Sequence, residues 1–127
     1  MEETLQFVLK VDKSGNPLEG GKNYKIHLPP NIPMNQFWSI ILYDKETDLM
    51  INTDQSWPSV HSQTSSLIIN QDGSVDAFFG QNVQANSGVN CVKTIPGKYW
   101  YLILRIYGVK KASNINNWNP DEIIELE

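Results

Sequence analysis

Apolar residues in this chain recur mainly at every second position, which is the spacing of a β-strand with one buried face. Residues 5–11 show the pattern, because all their odd positions are apolar: Leu5, Phe7, Leu9 and Val11. No segment of 11 or more residues keeps the helical spacing i, i+3, i+4, i+7 of apolar residues without an interrupting proline or glycine. The chain is therefore predicted to be all-β.

Two further segments are more apolar than the rest. Residues 37–43 are apolar on both faces, which is typical of a strand that is covered on both sides. Residues 100–107 form the most hydrophobic predicted strand, which follows Pro96-Gly97 and ends before Gly108. Shorter strands are predicted over residues 24–28 and 123–126.

Turn signals separate these strands. Asp72-Gly73 stands between residues 67–70 and 75–79, and an Asp-Gly pair in that position predicts a hairpin because the turn needs positive φ. A polar loop at residues 44–48 leads into a predicted strand over residues 49–52, and residues 52–66 are expected to be an extended loop. About eight short strands with frequent turns predict an antiparallel two-sheet β-sandwich in one domain, residues 1–127.

Composition narrows the functional classes. The net charge of −4 disfavours nucleic-acid binding by the chain as a whole, and no apolar run approaches the ~20 residues of a membrane helix. The acidic start Met-Glu-Glu-Thr is unlike a signal peptide, Cys91 is the only cysteine, and no asparagine begins a glycosylation sequon. We therefore expect a cytoplasmic protein with no membrane span, and nothing in the sequence indicates a cofactor.

The charges are unevenly distributed along the chain. Between Asp76 and Asp121 there is no acidic residue, whereas this stretch holds five basic ones: Lys93, Lys98, Arg105, Lys110 and Lys111. Such a region could form a local basic face for an anionic ligand or an acidic partner. Alternatively, strands from both regions interleave in space and the asymmetry averages out.

Arg105 is the only arginine and lies in the middle of the most apolar strand. One interpretation is a guanidinium fork that holds a carboxylate or phosphate of a ligand. The other is an internal pair with Asp44, Asp72 or Asp76, because a buried charge is costly unless it is paired. We expect Arg105 to be largely buried and paired, with Asp44 or Asp72 as its partner.

The two histidines, His27 and His61, are candidates for acid–base chemistry. Their separation and the single cysteine match no standard zinc-ligand spacing, so no metal site is predicted. A small hydrolase or isomerase would need one of them hydrogen-bonded to a carboxylate inside a concave pocket. His61 is also a candidate ligand-binding residue because hydroxyl-bearing serines flank it.

Four tryptophans offer a further possibility, a stacking platform for sugars. Trp38 and Trp100 lie in the two most apolar strands and are expected in the core. Trp57 and Trp118 are set among polar and turn residues, so they are the candidates for exposed contacts. If both indoles were exposed on one face, the chain would fit a carbohydrate-binding module.

Several segments together resemble a known family. In chain order they are Phe37-Trp38-Ser39 with Tyr43-Asp44, Asp72-Gly73-Ser74, and Leu104-Arg105-Ile106-Tyr107. Their order and spacing, over about residues 5–127, resemble the domain-of-unknown-function family numbered 1214. The resemblance implies a jelly-roll-like β-sandwich without an established activity.

Two departures from the family pattern bear on function. Asn90-Cys91-Val92-Lys93 stands where the family commonly has Asn-Trp-Leu-Pro. The N-terminal domain that usually precedes this one in the family, numbered 1254, is expected to be absent. We therefore expect a non-enzymatic β-sandwich module that binds a partner protein or small ligand, or that serves as an assembly subunit.

These expectations lead to a prediction about assembly. Residues 5–9 and 123–126 are apolar terminal strands suited to an edge or an interface, so we predict a homo-oligomer, most simply a two-fold dimer. Its interface should bury at least about 1,000 Å² in total. Light scattering at tens-of-micromolar concentration should therefore show a species heavier than 14.5 kDa, and a 14.5 kDa species would contradict the prediction.

Overall fold

The computed structural model describes residues 2–33, 37–51, 59–63, 67–81, 90–110 and 118–126. These residues form strands, turns and loops. In chain order the strands are β1 (Glu2–Leu9), β2 (Leu18–Glu19), β3 (Asn23–Leu28), β4 (Phe37–Asp44), β5 (Ser59–His61), β6 (Val75–Gly80), β7 (Cys91–Lys93), β8 (Tyr99–Lys110) and β9 (Ile124–Leu126). None of the described segments is a helix of the length and apolar character needed to cross a membrane.

The strands form two sheets that pack as a β-sandwich, which confirms the predicted fold class. The first sheet has the order β1-β8-β4-β5, with β2 paired to the beginning of β8. The second has the order β7-β6-β3-β9. All pairs are antiparallel except β6 and β7, which run parallel, and this pair departs from the antiparallel expectation.

The core lies between the two sheets and is supplied by alternate positions of their strands. On β8 these positions are fully buried or nearly so: Trp100, Leu102, Leu104 and Ile106. Trp100 meets Tyr24 of the second sheet edge-on, with ring centroids 5.6 Å apart, and also contacts Phe79 at 5.4 Å. Burial of each large apolar side chain contributes roughly 1.5–3 kcal/mol, so this layer is the main source of stability.

The shortest elements differ from the prediction. Residues 49–52 were expected to be a strand, but in the described part Met50 makes only a single bridge to Tyr43. Residues 67–70 do not form a strand either. Asn70 instead closes the Asp72-Gly73 turn, where its N–H bonds the Ser74 carbonyl and Gly73 has φ +91°. Strands β2, β5 and β7 have two or three residues, which is too short for a periodic signal.

Two isoleucines of β8 test which face of the strand is covered. Ile106 is fully buried against the second sheet, whereas Ile103 is half-buried on the opposite side. Ile106→Ala should lower the free energy of unfolding by about 2–5 kcal/mol, and Ile103→Ala should cost clearly less because it leaves no enclosed cavity. Urea unfolding of the purified variants measures both, and equal losses would contradict this assignment of faces.

Candidate functional site

The side of the first sheet that points away from the core has few charges and many apolar side chains. We call it the outer face. It consists of Gln6 and Val8 of β1, Phe37, Ser39, Ile41 and Tyr43 of β4, Ser59 and His61 of β5, and Tyr101, Ile103, Arg105 and Tyr107 of β8. An antiparallel sheet that faces water usually carries polar residues there, so this composition needs an explanation.

Two stacked aromatic pairs connect β4 to β8 on the outer face. Phe37 and Tyr107 are direct cross-strand partners whose ring centroids lie 4.4 Å apart at 28°. Tyr43 and Tyr101 are also partners, at 5.5 Å and 18°. Cross-strand aromatic pairs stabilise a sheet and hold their rings in defined positions. The outer face therefore has a rigid aromatic surface at both ends.

A polar row crosses the sheet between these aromatic pairs. The strand register aligns Gln6 of β1, Arg105 of β8, Ser39 of β4 and His61 of β5. Two residues singled out from the sequence, Arg105 and His61, thus lie on the same face, two strands apart. A groove of about 270 Å³ begins beside this row, lined among others by Phe37, Ser39, Ser59, His61 and Tyr107.

The groove also contains a polar atom without a partner. The hydroxyl oxygen of Ser59 is shielded from solvent and has no hydrogen-bond partner among the described residues. A buried hydroxyl without a partner is costly, but because this oxygen is shielded, a group in the groove cannot reach it without a side-chain rearrangement.

Arg105 is held by neutral oxygens. Its Nε donates to Oε1 of Gln6 at 3.1 Å, and its Nη1 donates to the hydroxyl of Tyr43 at 3.2 Å. The hydrogen bond to Tyr43 raises the pKa of Arg105 further above its ordinary value and outweighs partial burial, which acts to lower it. The side chain is half-buried and charged, and in the described part of the chain no carboxylate pairs with it.

The predicted pair of Arg105 with Asp44 or Asp72 is therefore wrong. Asp44 is the register partner of Trp100, on the alternate set of β4 positions from Ser39, and its carboxylate lies 3.8 Å from Nζ of Lys98. Asp72 belongs to the turn before β6 in the other sheet, where it accepts hydrogen bonds from Ser74. The expectation that Arg105 is largely buried is also wrong, because its strand position points outward.

A second candidate site lies on the outward side of the second sheet. His27 of β3 and Asp76 of β6 are direct cross-strand partners, and Nδ1 of His27 lies 2.7 Å from Oδ1 of Asp76. Nδ2 of Asn70 donates to the other carboxylate oxygen at 3.0 Å, and Nζ of Lys25 lies 3.8 Å from Oδ1. We call this arrangement the His27–Asp76 pair.

The surroundings of Asp76 favour its ionised form. Burial acts to raise the pKa of Asp76, but the hydrogen bonds from His27 and Asn70 and the charge of Lys25 outweigh it and hold the pKa below its usual value. A cavity of about 470 Å³ opens beside His27 and is lined also by Lys13, Lys25, Asp121 and Glu122. His27 thus lines a concave pocket and is hydrogen-bonded to the carboxylate of Asp76, as acid–base chemistry at this histidine would require.

The tryptophan candidates are not brought together. Trp118 is 7% exposed, its Nε1 donates to the Pro29 carbonyl at 3.1 Å, and its ring meets Phe7 edge-on at 5.9 Å. The predicted exposed contact through Trp118 is therefore wrong, and a sugar platform that needs this indole is excluded. Trp57 lies outside the described residues. The core assignment of Trp38 and Trp100, each 1% exposed, is confirmed.

Sequence reasoning missed the partners of the candidate residues rather than the residues themselves. Gln6 and Tyr43 hold Arg105, and Asn70 holds Asp76. The alternation of residues 5–11 places Gln6 opposite the apolar side, so its outward direction was available from the sequence. Its position beside Arg105 was not, because that depends on which strands are neighbours.

The lowered pKa of Asp76 predicts how stability depends on pH. A carboxyl whose pKa is lower in the folded than in the unfolded chain stabilises the fold above about pH 4, and this contribution disappears as pH falls through the folded-state pKa. Asp76→Asn should cost about 1–3 kcal/mol at pH 7, as expected for hydrogen bonds to a charged group, and much less at pH 3. Urea unfolding at both pH values measures this.

The control for that experiment is Glu46→Gln, because Glu46 is exposed in the turn after β4. Its unfolding free energy should follow the wild type at both pH values. A loss in Asp76→Asn that is as large at pH 3 as at pH 7 would show that the charge of Asp76 is not what stabilises the fold.

No curated protein matches the chain. The VPA0106 protein from Vibrio parahaemolyticus has a similar structure, with a TM-score of 0.80 and 25% identity, over 98% of this chain and 31% of that chain. A putative uncharacterized protein from Burkholderia cenocepacia shares the fold at a TM-score of 0.60 and 18% identity, over 97% of this chain and 29% of that one.

The chain therefore spans less than a third of the length of each of these two solved chains. Residues 3–111 match the family described as "protein of unknown function (DUF1214)", in agreement with the resemblance found in the sequence. The chain belongs to the DUF1214 family.

Proposed function

We propose that this chain is a β-sandwich module that binds a partner polypeptide through the outer face. One observation carries the proposal: β4 and β8 have apolar side chains on both faces, but in the described structure only their inner face is packed against a sheet. Val8 on this face is 46% exposed, and five further apolar or aromatic side chains are only half-buried: Phe37, Ile41, Tyr43, Ile103 and Tyr107. Covering this partly exposed apolar surface would add the stabilisation that burial gives. A surface of this kind is typical of an interaction site.

The composition of the outer face supports this proposal. Protein interfaces are enriched in tyrosine, phenylalanine, methionine and arginine, and their centres are depleted of lysine and acidic residues. The outer face holds three tyrosines, one phenylalanine and the only arginine. Met50, which pairs with Tyr43 and is 41% exposed, extends the apolar surface beyond β4. Val8 of the outer face is 46% exposed.

The charges of the outer face indicate the chemistry of the partner. Arg105 lies near its middle, and Nζ of Lys10 lies 5.3 Å from the centroid of the Tyr101 ring at one end. Asp48 is at the same end, where it accepts a hydrogen bond from the Tyr101 hydroxyl at 2.9 Å. The partner is therefore expected to present an apolar surface with a carboxylate opposite Arg105.

A second copy of this chain fits the outer face poorly. A two-fold contact centred on this face would bring the two Arg105 side chains together without a carboxylate between them, and like charges at an interface are unfavourable. The homodimer predicted from the terminal strands remains a separate prediction. Strands β1 and β9 lie at edges of the two described sheets, so pairing through them would leave the outer face open.

The cytoplasmic location likewise remains a prediction.

Site-specific crosslinking in the native cells tests the proposal. A photo-reactive p-benzoylphenylalanine in place of Val8 lies on the outer face, and one in place of Phe78 lies on the outward side of the second sheet as the matched control. Position 8 should crosslink a polypeptide that position 78 does not. That polypeptide, once identified and purified, should bind the wild-type chain directly.

Binding of that purified polypeptide should depend on Arg105. Arg105→Met should raise the Kd at least about tenfold, because central arginines are frequent hot spots, and Arg105→Lys should restore only part of the affinity since it lacks the planar fork. Phe78→Ala should bind like the wild type. Equal crosslinking from both positions, unchanged binding by Arg105→Met, or a second copy of this chain as the crosslinked species would each overturn the proposal.

A further inference from the structure

The geometry of the His27–Asp76 pair determines which ring nitrogen can react. An ionised carboxylate only accepts hydrogen bonds, so the 2.7 Å contact requires Nδ1 of His27 to carry the proton. In the neutral ring the lone pair is then on Nε2, the form of histidine that can take a proton from water. The His27 side chain is 36% exposed and lines the 470 Å³ cavity, so a substrate can reach it.

Asp76 is held in place more firmly than a simple cross-strand pair requires. Asn70, from the turn before β6, fixes the second carboxylate oxygen, while Lys25 lies 3.8 Å from the first. Asn70 is itself bound to the Ser74 hydroxyl at 3.0 Å. A carboxylate fixed in this way holds the imidazole in one orientation and stabilises the imidazolium once it forms, as in the hydrolases that pair an acid with a histidine.

The charges that line the cavity indicate the substrate class. Lys13 and Lys25 line the cavity together with His27, and their charges can attract an anionic group and stabilise negative charge that develops during a reaction. Asp121 and Glu122 line the same cavity and repel substrates with several negative charges. A small substrate with a single anionic group fits this balance.

We propose that the His27–Asp76 pair is a general-base site for the hydrolysis of small carboxylic esters that bear one anionic group. It lies on the opposite side of the sandwich from the outer face and does not depend on the proposed binding function. Of the two histidines that the sequence offered for a small hydrolase or isomerase, the proposal selects His27.

The reaction needs only water as co-reactant. Nε2 of His27 takes a proton from a water molecule while the water oxygen bonds to the ester carbonyl carbon, and the carbonyl oxygen becomes an oxyanion. The bond from that carbon to the alkoxy oxygen then breaks, and the leaving oxygen takes the proton from His27. The products are a carboxylic acid and an alcohol, and the imidazole returns to its neutral form.

The test uses mono-4-nitrophenyl glutarate, a single-anion ester that releases coloured 4-nitrophenolate. The full chain should hydrolyse it at least about tenfold faster than the same concentration of N-acetylhistidine, since positioned acid–base groups contribute 10²–10⁴-fold in enzymes. His27→Gln should reduce the rate to that of buffer, and Asp76→Asn should lower kcat at least about tenfold. The reaction should be slower in D₂O because a proton moves in the rate-determining step.

Lysine variants separate catalysis from mere stability. Lys25→Gln should raise KM for the anionic ester but not for neutral 4-nitrophenyl acetate. Lys22→Gln should change neither KM, because Lys22 does not line the cavity and its Nζ lies 3.5 Å from Oε1 of Glu125. Circular dichroism and thermal melting verify that each variant is folded. A wild-type rate no higher than that of N-acetylhistidine, or a folded His27→Gln variant with the wild-type rate, would overturn the proposal.

Discussion

The antiparallel pairing of β8 with strands on both of its sides is the constraint on which the rest of the structure depends. One side bonds to β1 and β2, and the other bonds to β4 over eight consecutive residue pairs. Side chains alternate along a strand, so the register that buries Trp100, Leu102 and Leu104 also directs Arg105 and Tyr107 outward. The hydrophobic core and the outer face are thus two results of the same hydrogen bonds.

The second sheet follows the same rule with a different outcome. Its inward positions Ala77 and Phe79 complete the core, whereas its outward positions are mixed: Phe78 is apolar, but Lys25, His27 and Asp76 are polar or charged. His27 and Asp76 belong to that outward set. The two candidate sites therefore lie on opposite sides of the sandwich, separated by the thickness of two sheets about 10 Å apart. Substitutions in one are expected to add to, rather than alter, the effects of substitutions in the other.

The fold was largely predictable because it depends on local alternation. Long strands such as β1, β4 and β8 have enough residues for the period of two to be visible, whereas three-residue strands such as β5 and β7 do not. The turn at Asp72-Gly73 was also predicted correctly, because its positive φ depends on glycine, but the hairpin expected around it is wrong since residues 67–70 do not form a strand. Asn70 before it does not extend a strand, since its side chain is engaged by Ser74 and Asp76.

The sites were less predictable because a side chain's partner depends on long-range register. Arg105 was recognised as unusual, but a search for opposite charge led to Asp44, which belongs to the other set of β4 positions, while the true partners are the neutral oxygens of Gln6 and Tyr43. His27 was recognised without its partner. Asp76 lies 49 positions away, and only the pairing of β3 with β6 brings the two together.

The register of β8 also limits how this sequence can change in length. Insertion or deletion of one residue within β8 would move every following side chain to the opposite side, exchanging residues such as Leu104 and Arg105 between the core and the outer face. The turns at residues 12–16 and 44–49 have no such restriction, because their side chains are mostly exposed. Length differences among related chains should therefore be concentrated in these turns, and an alignment that places a gap inside β8 is in the wrong register.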